Sequence, residues 1–364
     1  LKNNWFYTLC LSGRFAEEGY IEGTSYKAKS AFLSVEKKIN KNHSLNVAAI
    51  YTPNIRGKSA AITNEVFDLK GRKYNSYWGF QGEKIRNSRQ RRVEEPILML
   101  NHFWDLSENT KINTNVAYQF GHIGNTRIDY GGTNLVRFND EASYEGGGQN
   151  PDPAYYQNLP SYFLRSEGRE NYEAAYKSAA AFRENGQLNW QAIYGANMAE
   201  TNNGNNAVYA LTADRYDDHS MYLNAIVDHT INAMFKLNGG INFRHLQSHN
   251  YAKIDDLFGA NHFLDIDFFA EPINDYSLEQ VAQSDVQNPN RLVSQGDIYK
   301  YNYDLNATSL QAFSQLQFAT KNIETYFSAN VSSTSYERFG NYQNGLFPDN
   351  SLGRSKELNF IDFG

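Results

Sequence analysis

The chain has 364 residues and a formal net charge of −6, with 34 Lys and Arg against 40 Asp and Glu. This length allows one large or two ordinary domains, and the mildly acidic balance gives no reason to expect nucleic acid as a partner. The single cysteine, Cys10, excludes an internal disulfide framework and a cysteine-based zinc site.

The mean hydropathy is low although aromatic residues are abundant. It averages −0.64, yet 15% of the residues are aromatic, with 26 Tyr and 23 Phe. This mixture is typical of many half-polar strands with aromatic anchors. The longest apolar runs, such as residues 97–100, are far shorter than the roughly 18 residues that a transmembrane helix needs. The composition therefore excludes a helical membrane protein and leaves a membrane β-barrel open.

Apolar and polar residues alternate in many segments, which predicts about ten strands. In residues 110–121, for example, Asn113, Asn115 and Gln119 alternate with Val116 and Tyr118. Two helices are predicted inside the longest loop, at 173–185 and 188–198. The strands are expected at 4–14, 27–38, 44–51, 96–105, 111–121, 219–228, 233–247, 308–320, 323–336 and 356–363.

The connections between these strands alternate between tight turns and long loops. Tight turns that contain Asn are expected near 37–45, 106–112, 228–233 and 319–324, and long loops near 52–95, 122–218, 248–307 and 337–355. In an antiparallel meander every second connection lies at the same end of the sheet. The pattern therefore predicts an all-β, up-and-down transmembrane barrel with long extracellular loops. A soluble β-sandwich with a solvated outer face is the alternative.

One face of each predicted strand is polar. In a barrel this face would line the lumen, and the apolar face would contact lipid. The candidates for lumen-lining residues are Asn113, Asn115, Gln119, Lys236, Asn242, Arg244, Gln315 and Asn330.

Two charged groups outside the predicted strands are candidates for binding. The loop at 248–307 carries carboxylates that could hold calcium or could simply form turns: Asp255, Asp256, Asp265 and Asp267. A basic run at the extracellular rim could pair with lipid A phosphates, with an anionic ligand, with plug carboxylates or with neighbouring glutamates: Lys84, Arg86, Arg89, Arg91 and Arg92. No GxSxG motif is present, so catalytic residues and enzyme activity are not expected, and no cofactor other than calcium is considered.

Five segments together resemble a known family. The resemblance is to the barrels of large TonB-dependent outer-membrane receptors of Bacteroidetes, of the type with an N-terminal carboxypeptidase-regulatory-like domain. It implies a plugged barrel of about 22 strands, of which residues 1–364 would be an internal fragment without the plug domain and the C-terminal strands. The segments are NPDPAYYQNLPSYFLR (150–165), RFAEEGYIEGTSYKAKSAFLSVEKKINKNHSLN (14–46), RNSRQRRVEEPILMLNHFW (86–104), LDIDFFAE (264–271) and QNPNRLVSQGDIYKYNY (287–303).

The resemblance also implies a function, namely TonB-dependent uptake of a ligand across the bacterial outer membrane without catalysis. The partners that it implies are outer-membrane lipid and lipopolysaccharide, the TonB complex through an N-terminal region outside this chain, and a surface lipoprotein. A barrel for adhesion, secretion or partner docking is one alternative. A soluble sandwich that binds glycans is the other.

Overall fold

A computed structural model describes residues 4–138, 141–199, 206–271 and 277–364. The helices are α1 (Asn64–Lys70), α2 (Pro160–Leu164), α3 (Tyr172–Glu184), α4 (Trp190–Met198) and α5 (Leu278–Val281). None of these helices has the length and apolarity needed to cross a membrane. The strands are β1 (Trp5–Ala16), β2 (Tyr26–Lys38), β3 (His43–Tyr51), β4 (Asn54–Gly57), β5 (Trp78–Gln81), β6 (Lys84–Asn87), β7 (Gln90–Glu94), β8 (Ile97–Ser107), β9 (Thr110–Asp129), β10 (Thr133–Phe138), β11 (Glu141–Gly146), β12 (Ala210–Thr230), β13 (Phe235–Asp256), β14 (Phe263–Leu264), β15 (Leu292–Val293), β16 (Ile298–Ala319), β17 (Glu324–Gly340), β18 (Gly353–Arg354) and β19 (Leu358–Phe363).

The strands predicted from alternation are all present, as β1, β2, β3, β8, β9, β12, β13, β16, β17 and β19. The two predicted helices are present as α3 and α4, and the side chains of Asn171 and Asn189 cap their N-termini. The predicted strand ends were wrong in β9, β12, β13 and β16, which extend further than expected. The loops are therefore shorter and occupy 58–89, 130–209, 257–297 and 341–357. Tyr251 and Ala252, on opposite faces of one extension, are both buried, so alternation is lost there.

The long strands form one antiparallel sheet in which each strand pairs with the next along the chain. The order is β1, β2, β3, β8, β9, β12, β13, β16, β17 and β19. We call this the main sheet. β4 continues the register of β3 against β2, and β7 continues the register of β8 against β9. Pro53 and Pro96 stand at these two interruptions, because proline has no N–H to give to a ladder.

The two ends of the main sheet differ, as the alternation of short and long connections predicts. At one end, the side chains of Asn40 and Asn232 accept hydrogen bonds from backbone amides inside the tight turns, at 2.8–3.0 Å. We call this the turn end. All the long loops lie at the other end, which we call the loop end. The predicted segregation of the loops is confirmed.

The two faces of the main sheet also differ. Residues that are direct partners in an antiparallel pair lie on the same face, so the register assigns each side chain to a face. One face, which we call the apolar face, exposes many large apolar side chains, and the described residues place no second layer on them. Members of this set are Leu9, Leu11, Leu33, Val47, Leu98, Leu100, Tyr118, Met221, Ile241, Leu310, Leu316, Phe327 and Val331. The opposite side is the polar face.

Most of the buried apolar side chains lie at the loop end rather than on the main sheet. One cluster joins α1 to α3 through Val66, Tyr74 and Phe182. A second places Trp190 of α4 against Phe258, with the ring centroids 5.8 Å apart. A third surrounds the upper part of β13 and β16 and contains Ala207, Ala210, Ala252, Ile254, Leu257, Phe263, Val293 and Tyr299. The loops are therefore a folded unit with cores of their own.

Candidate functional site

The register places all eight candidates for lumen-lining residues on the polar face. Asn115 of β9 is the direct partner of Asn224, and Asn224 is the direct partner of Asn242. Starting from these pairs, every second residue on a strand shares the face. The other candidates that this assigns to the polar face are Asn113, Gln119, Lys236, Arg244, Gln315 and Asn330. That this face lines a lumen stays a prediction.

A row of side-chain amides crosses the polar face at right angles to the strands. The Nδ2 of Asn115 donates to Oδ1 of Asn224 at 3.1 Å, and Asn224 donates to Asn242. Asn242 donates to Oε1 of Gln311 at 3.3 Å. Consecutive partners of the row are Asn46, Asn101, Asn115, Asn224, Asn242 and Gln311. We call these six residues the amide row.

The amide row continues on the β3 side, where Asn101 donates to Oδ1 of Asn46 at 2.9 Å and Asn46 donates to Oγ of Ser34 at 2.7 Å. Its members carry both donors and acceptors and no charge. The row can therefore hold a polar partner by hydrogen bonds without fixing the sign of that partner's charge. Sequence reasoning missed Asn46, Asn101 and Asn224, because alternation assigns a face to each residue and does not give the register between strands.

The backbone of three adjacent strands is irregular at the level of the two prolines. Phe120 N donates to Pro96 O at 3.2 Å, so β9 follows its neighbour closely past the interruption. Gly121 has φ +127°, and a Cβ on it would lie 2.0 Å from the carbonyl oxygen of Glu94. Only glycine fits this backbone and this contact. Pro53, Pro96 and Gly121 thus mark one level across three adjacent strands.

The predicted extracellular basic cluster does not stay together, and two of its arginines pair with two of the predicted calcium ligands. Arg86 lies 2.8 Å from Asp256 and is stacked 4.3 Å from the ring centroid of Trp190. Arg92 lies 2.6 Å from Asp255. These ion pairs tie the β6–β7 segment to the end of β13. The ion pairs of Arg86 and Arg92 are therefore with these aspartates and not with the neighbouring Glu83, Glu94 or Glu95.

The other members of the basic run go to separate places. Arg89 lies over the ring of Tyr77, 5.2 Å from its centroid. Lys84 is exposed on β6. Arg91 is a direct partner of Asn125 and lies on the polar face. The five side chains are spread in this way because the backbone between Asn87 and Gln90 turns from the β5–β6 hairpin into the main sheet. An extracellular binding role for the basic run stays a prediction.

The two remaining aspartates of the calcium prediction also have protein partners. Asp265, whose side chain is 1% exposed, pairs with Arg291 and accepts from Lys300 N at 2.8 Å. Burial lowers the pKa of Arg291 and the hydrogen bond with Asp265 raises it, with a net rise. Asp267 accepts from Phe269 N at 3.1 Å. Among the described residues no His, Cys, Asp and Glu side chains form a metal-binding group of three or more. Calcium binding stays a prediction.

Buried polar side chains join the loop segments to one another. Asn75 is fully buried, accepts from Ala60 N at 2.9 Å and donates to Glu22 O at 2.9 Å. Asn197 is equally buried and donates to Leu257 O at 2.7 Å. Because their backbone partners belong to different segments, these asparagines hold the loop end in one arrangement.

These features define a class of fold. The protein is an all-β antiparallel meander with one exposed apolar face, one polar face, tight turns at one end and folded loops at the other, which is the arrangement of a transmembrane β-barrel. No protein-family model matches the sequence, and no curated protein matches it. The fold, in contrast, has clear matches among solved structures.

The matches are receptors and transporters. The unliganded ferric citrate transporter FecA aligns over 100% of this chain with a TM-score of 0.54 at 7% identity. The siderophore receptor PiuA from Acinetobacter baumannii gives 0.52 at 10% identity, and the ferric-catecholate import receptor Fiu from E. coli K12 gives 0.50 at 8% identity, each over 100% of this chain. The chain spans 36%, 42% and 44% of these three proteins. It therefore has the fold of less than half of an outer-membrane receptor.

Proposed function

We propose that this chain is part of a TonB-dependent receptor of the bacterial outer membrane, which takes up a ligand through a plugged barrel without catalysing a reaction. The polar face lines the lumen and the apolar face contacts lipid. A plug domain lies against the amide row, and the folded loops meet the ligand outside the cell. The partners are outer-membrane lipid and lipopolysaccharide, the TonB complex through a region outside residues 1–364, and a surface lipoprotein.

The exposure of the apolar face is the observation that supports this proposal most. Leu310 is 54% exposed and Phe327 is 75% exposed, in the middle and lower parts of long strands. In water such a surface would drive association, whereas hydrocarbon accepts it. The likeness to three receptors adds support, because it extends over the whole of this chain.

Two alternatives follow from the same surface. A barrel for adhesion, secretion or partner docking would have the same two faces but would need no plug. A soluble glycan-binding sandwich would need a second sheet over the apolar face, and the described residues supply none. The first alternative is therefore the one that an experiment must separate from transport.

The first experiment tests the orientation in the membrane. In the intact receptor, with Cys10 replaced by serine, cells carrying Tyr176→Cys in α3 or Lys41→Cys in a tight turn are treated with a membrane-impermeant maleimide. We expect labelling of the Tyr176→Cys protein on intact cells, and of the Lys41→Cys protein only after the outer membrane is permeabilised. Equal labelling of both proteins on intact cells would contradict the proposed orientation.

The second experiment tests energy coupling. The intact receptor, purified in detergent, is applied to an immobilised periplasmic domain of TonB from the same organism. We expect retention of the receptor, and we expect that a receptor lacking its N-terminal region passes through. If the intact receptor also passes through, a docking or adhesion barrel is the better interpretation.

A further inference from the structure

A group of cationic side chains lies on the polar face above the level of the two prolines. Arg56 of β4 is the direct partner of Arg91 of β7, and Arg91 is the direct partner of Asn125 of β9. Lys58 follows Arg56 by two residues and its Nζ donates to Oδ1 of Asn125 at 2.7 Å. Because Asn125 shares its face with the amide row, all of these side chains are on the polar face. We call Arg56, Lys58 and Arg91 the basic patch.

Further cations flank the basic patch. Arg14 of β1 lies over the ring of Tyr26, 5.3 Å from its centroid, and Tyr26 is the direct partner of Arg56. Arg127 of β9 stands two residues beyond Asn125 on the same face. Cationic side chains therefore occur on the polar face from β1 to β9 at this level, and Arg127 at the β9 side is paired with Asp214.

In the part of the chain that the structure describes, no carboxylate lies close enough to form an ion pair with the basic patch, although the charge of Glu95 acts on Arg91 and that of Asp214 acts on Lys58. Among the described residues, the ion pairs within 4 Å include none for Arg56, Lys58 or Arg91. Asp214, the partner of Asn125 on β12, is already 3.3 Å from Arg127 and accepts from the hydroxyl of Tyr301. This differs from the apolar face directly behind, where Arg92 has its aspartate.

The electrostatics agree with this geometry. Burial is the largest cause that lowers the pKa of Lys58, and the charges of Arg91 and Arg89 lower it further. Arg56 acts in the same direction, and only Asp214 opposes them. Like charges held this close without an ion pair within 4 Å repel one another, so an anion that bound there would be favoured both by attraction and by relief of repulsion.

We propose that the basic patch is the binding subsite for a small anion with at least two negative charges, such as a polycarboxylate or a phosphate ester, on its path into the barrel. The assignment rests on the proposed transport function and names the chemical class of ligand. Arg56 and Arg91 are direct partners on neighbouring strands, so their guanidinium groups belong to one face, and the paired N–H donors of each match the paired oxygens of carboxylate and phosphate. Lys58 adds a third charge, held in place by Asn125.

The direct test uses the intact receptor in detergent and two probes, citrate and inorganic pyrophosphate, with affinity measured by isothermal titration calorimetry. The variant Arg56→Gln with Arg91→Gln removes two charges from the basic patch. The matched control, Lys27→Gln with Lys29→Gln, removes two charges from the opposite face of the same region, since Lys27 is the direct partner of Ile55. The heat-dependent gel shift of each variant reports whether the barrel is folded.

We expect the wild type to bind at least one probe, the control to keep that affinity, and the patch variant to lose about tenfold or more, as for a charge-assisted hydrogen bond. Equal binding by wild type and patch variant would overturn the assignment. A second result would also overturn it: the wild type binds neither probe, and the patch variant is less thermally stable than the wild type. The basic patch would then pair with carboxylates of the receptor itself. A receptor that passes the orientation and TonB tests but binds no anion refutes only this subsite.

Discussion

The main sheet and the loop end are built for different surroundings although they share the same strands. Along the main sheet, large apolar side chains are exposed on one face and amides are aligned on the other. At the loop end, apolar side chains form clusters of their own, and Arg86, which is paired with Asp256, lies over the ring of Trp190. The loop end therefore has the interior of a water-soluble protein, and the main sheet does not.

This difference shows where burial supplies stability. In water the hydrophobic effect can act only at the loop end, because the main sheet leaves its apolar side chains uncovered. The main sheet must obtain its burial from lipid. Substitutions that remove a side chain from a loop core should therefore destabilise the loop end, and substitutions that place a charge on the apolar face should destabilise the main sheet.

The largest effect is expected for Trp190→Ala. This side chain is 1% exposed and packs between Phe258 and the guanidinium of Arg86. Its loss should destabilise the loop end by about 3–5 kcal/mol. Hydrogen exchange measured by mass spectrometry should show faster exchange in the loops and unchanged exchange in the main-sheet strands β9, β12, β13, β16 and β17. Tyr176→Ala, at a position 76% exposed, is the control. Equal loss of protection in the main sheet would contradict the separation of the two regions.

Leu310→Arg places a charge on the apolar face. In lipid it should lower the free energy of unfolding by about 2–4 kcal/mol, the range for a charge near the bilayer midplane. Gln315→Arg puts the same side chain on the polar face of the same strand and should be tolerated. Urea titration of the intact receptor in lipid vesicles measures both. If Leu310→Arg costs no more than Gln315→Arg, the apolar face does not contact lipid.

Arg86→Ala tests the ion pair that joins two loops. Because the two side chains are 20% and 30% exposed, the coupling free energy between Arg86→Ala and Asp256→Asn should be about 1–2 kcal/mol, below that of a fully buried pair. A double-mutant cycle on thermal unfolding in detergent measures it. A coupling near zero would show that Arg86 acts through its stacking on Trp190 alone.

The smallest effect is expected for Asn224→Ala in the amide row. It removes the hydrogen bonds to Asn115 and Asn242. Because water can replace these two hydrogen bonds, the free energy of unfolding should fall by only roughly 1 kcal/mol. Ser332→Ala is the control, because Ser332 is the direct partner of Gln311 just beyond the end of the amide row. If Asn224→Ala costs no more than Ser332→Ala in lipid vesicles, the hydrogen bonds of the amide row do not contribute to stability.

Much of the main sheet could be predicted from the sequence because each strand has one polar and one apolar face. In residues 110–121 the assignment of Val116 and Tyr118 to one face and Asn115 to the other is what the structure has. The extensions of the strands could not be predicted, because residues such as Tyr251 and Ala252 are covered from both sides and lose the alternation.

The site was less predictable, since it depends on register and on distant contacts. The tight turn at 231–234 makes Asn224 the partner of Asn242, so counting outward from each turn would have revealed part of the amide row. No such count leads from Arg86 to Asp256, which are 170 residues apart. Arg56 and Lys58 could not be assigned to a face from the sequence, because they stand just past Pro53 and a proline there predicts the end of the strand.

Pro53, Pro96 and Gly121 have a mechanical consequence. A sheet resists bending through its ladder of hydrogen bonds, and two neighbouring strands each lack a backbone donor at nearly the same height. The bending stiffness of the wall is therefore lowest along that line. We expect the part of the main sheet on the loop-end side of this line to tilt as a rigid body together with the loops, while the part on the turn-end side keeps its shape. Gly121→Ala would force the backbone of Glu94 away and would change the angle between these two parts of the main sheet.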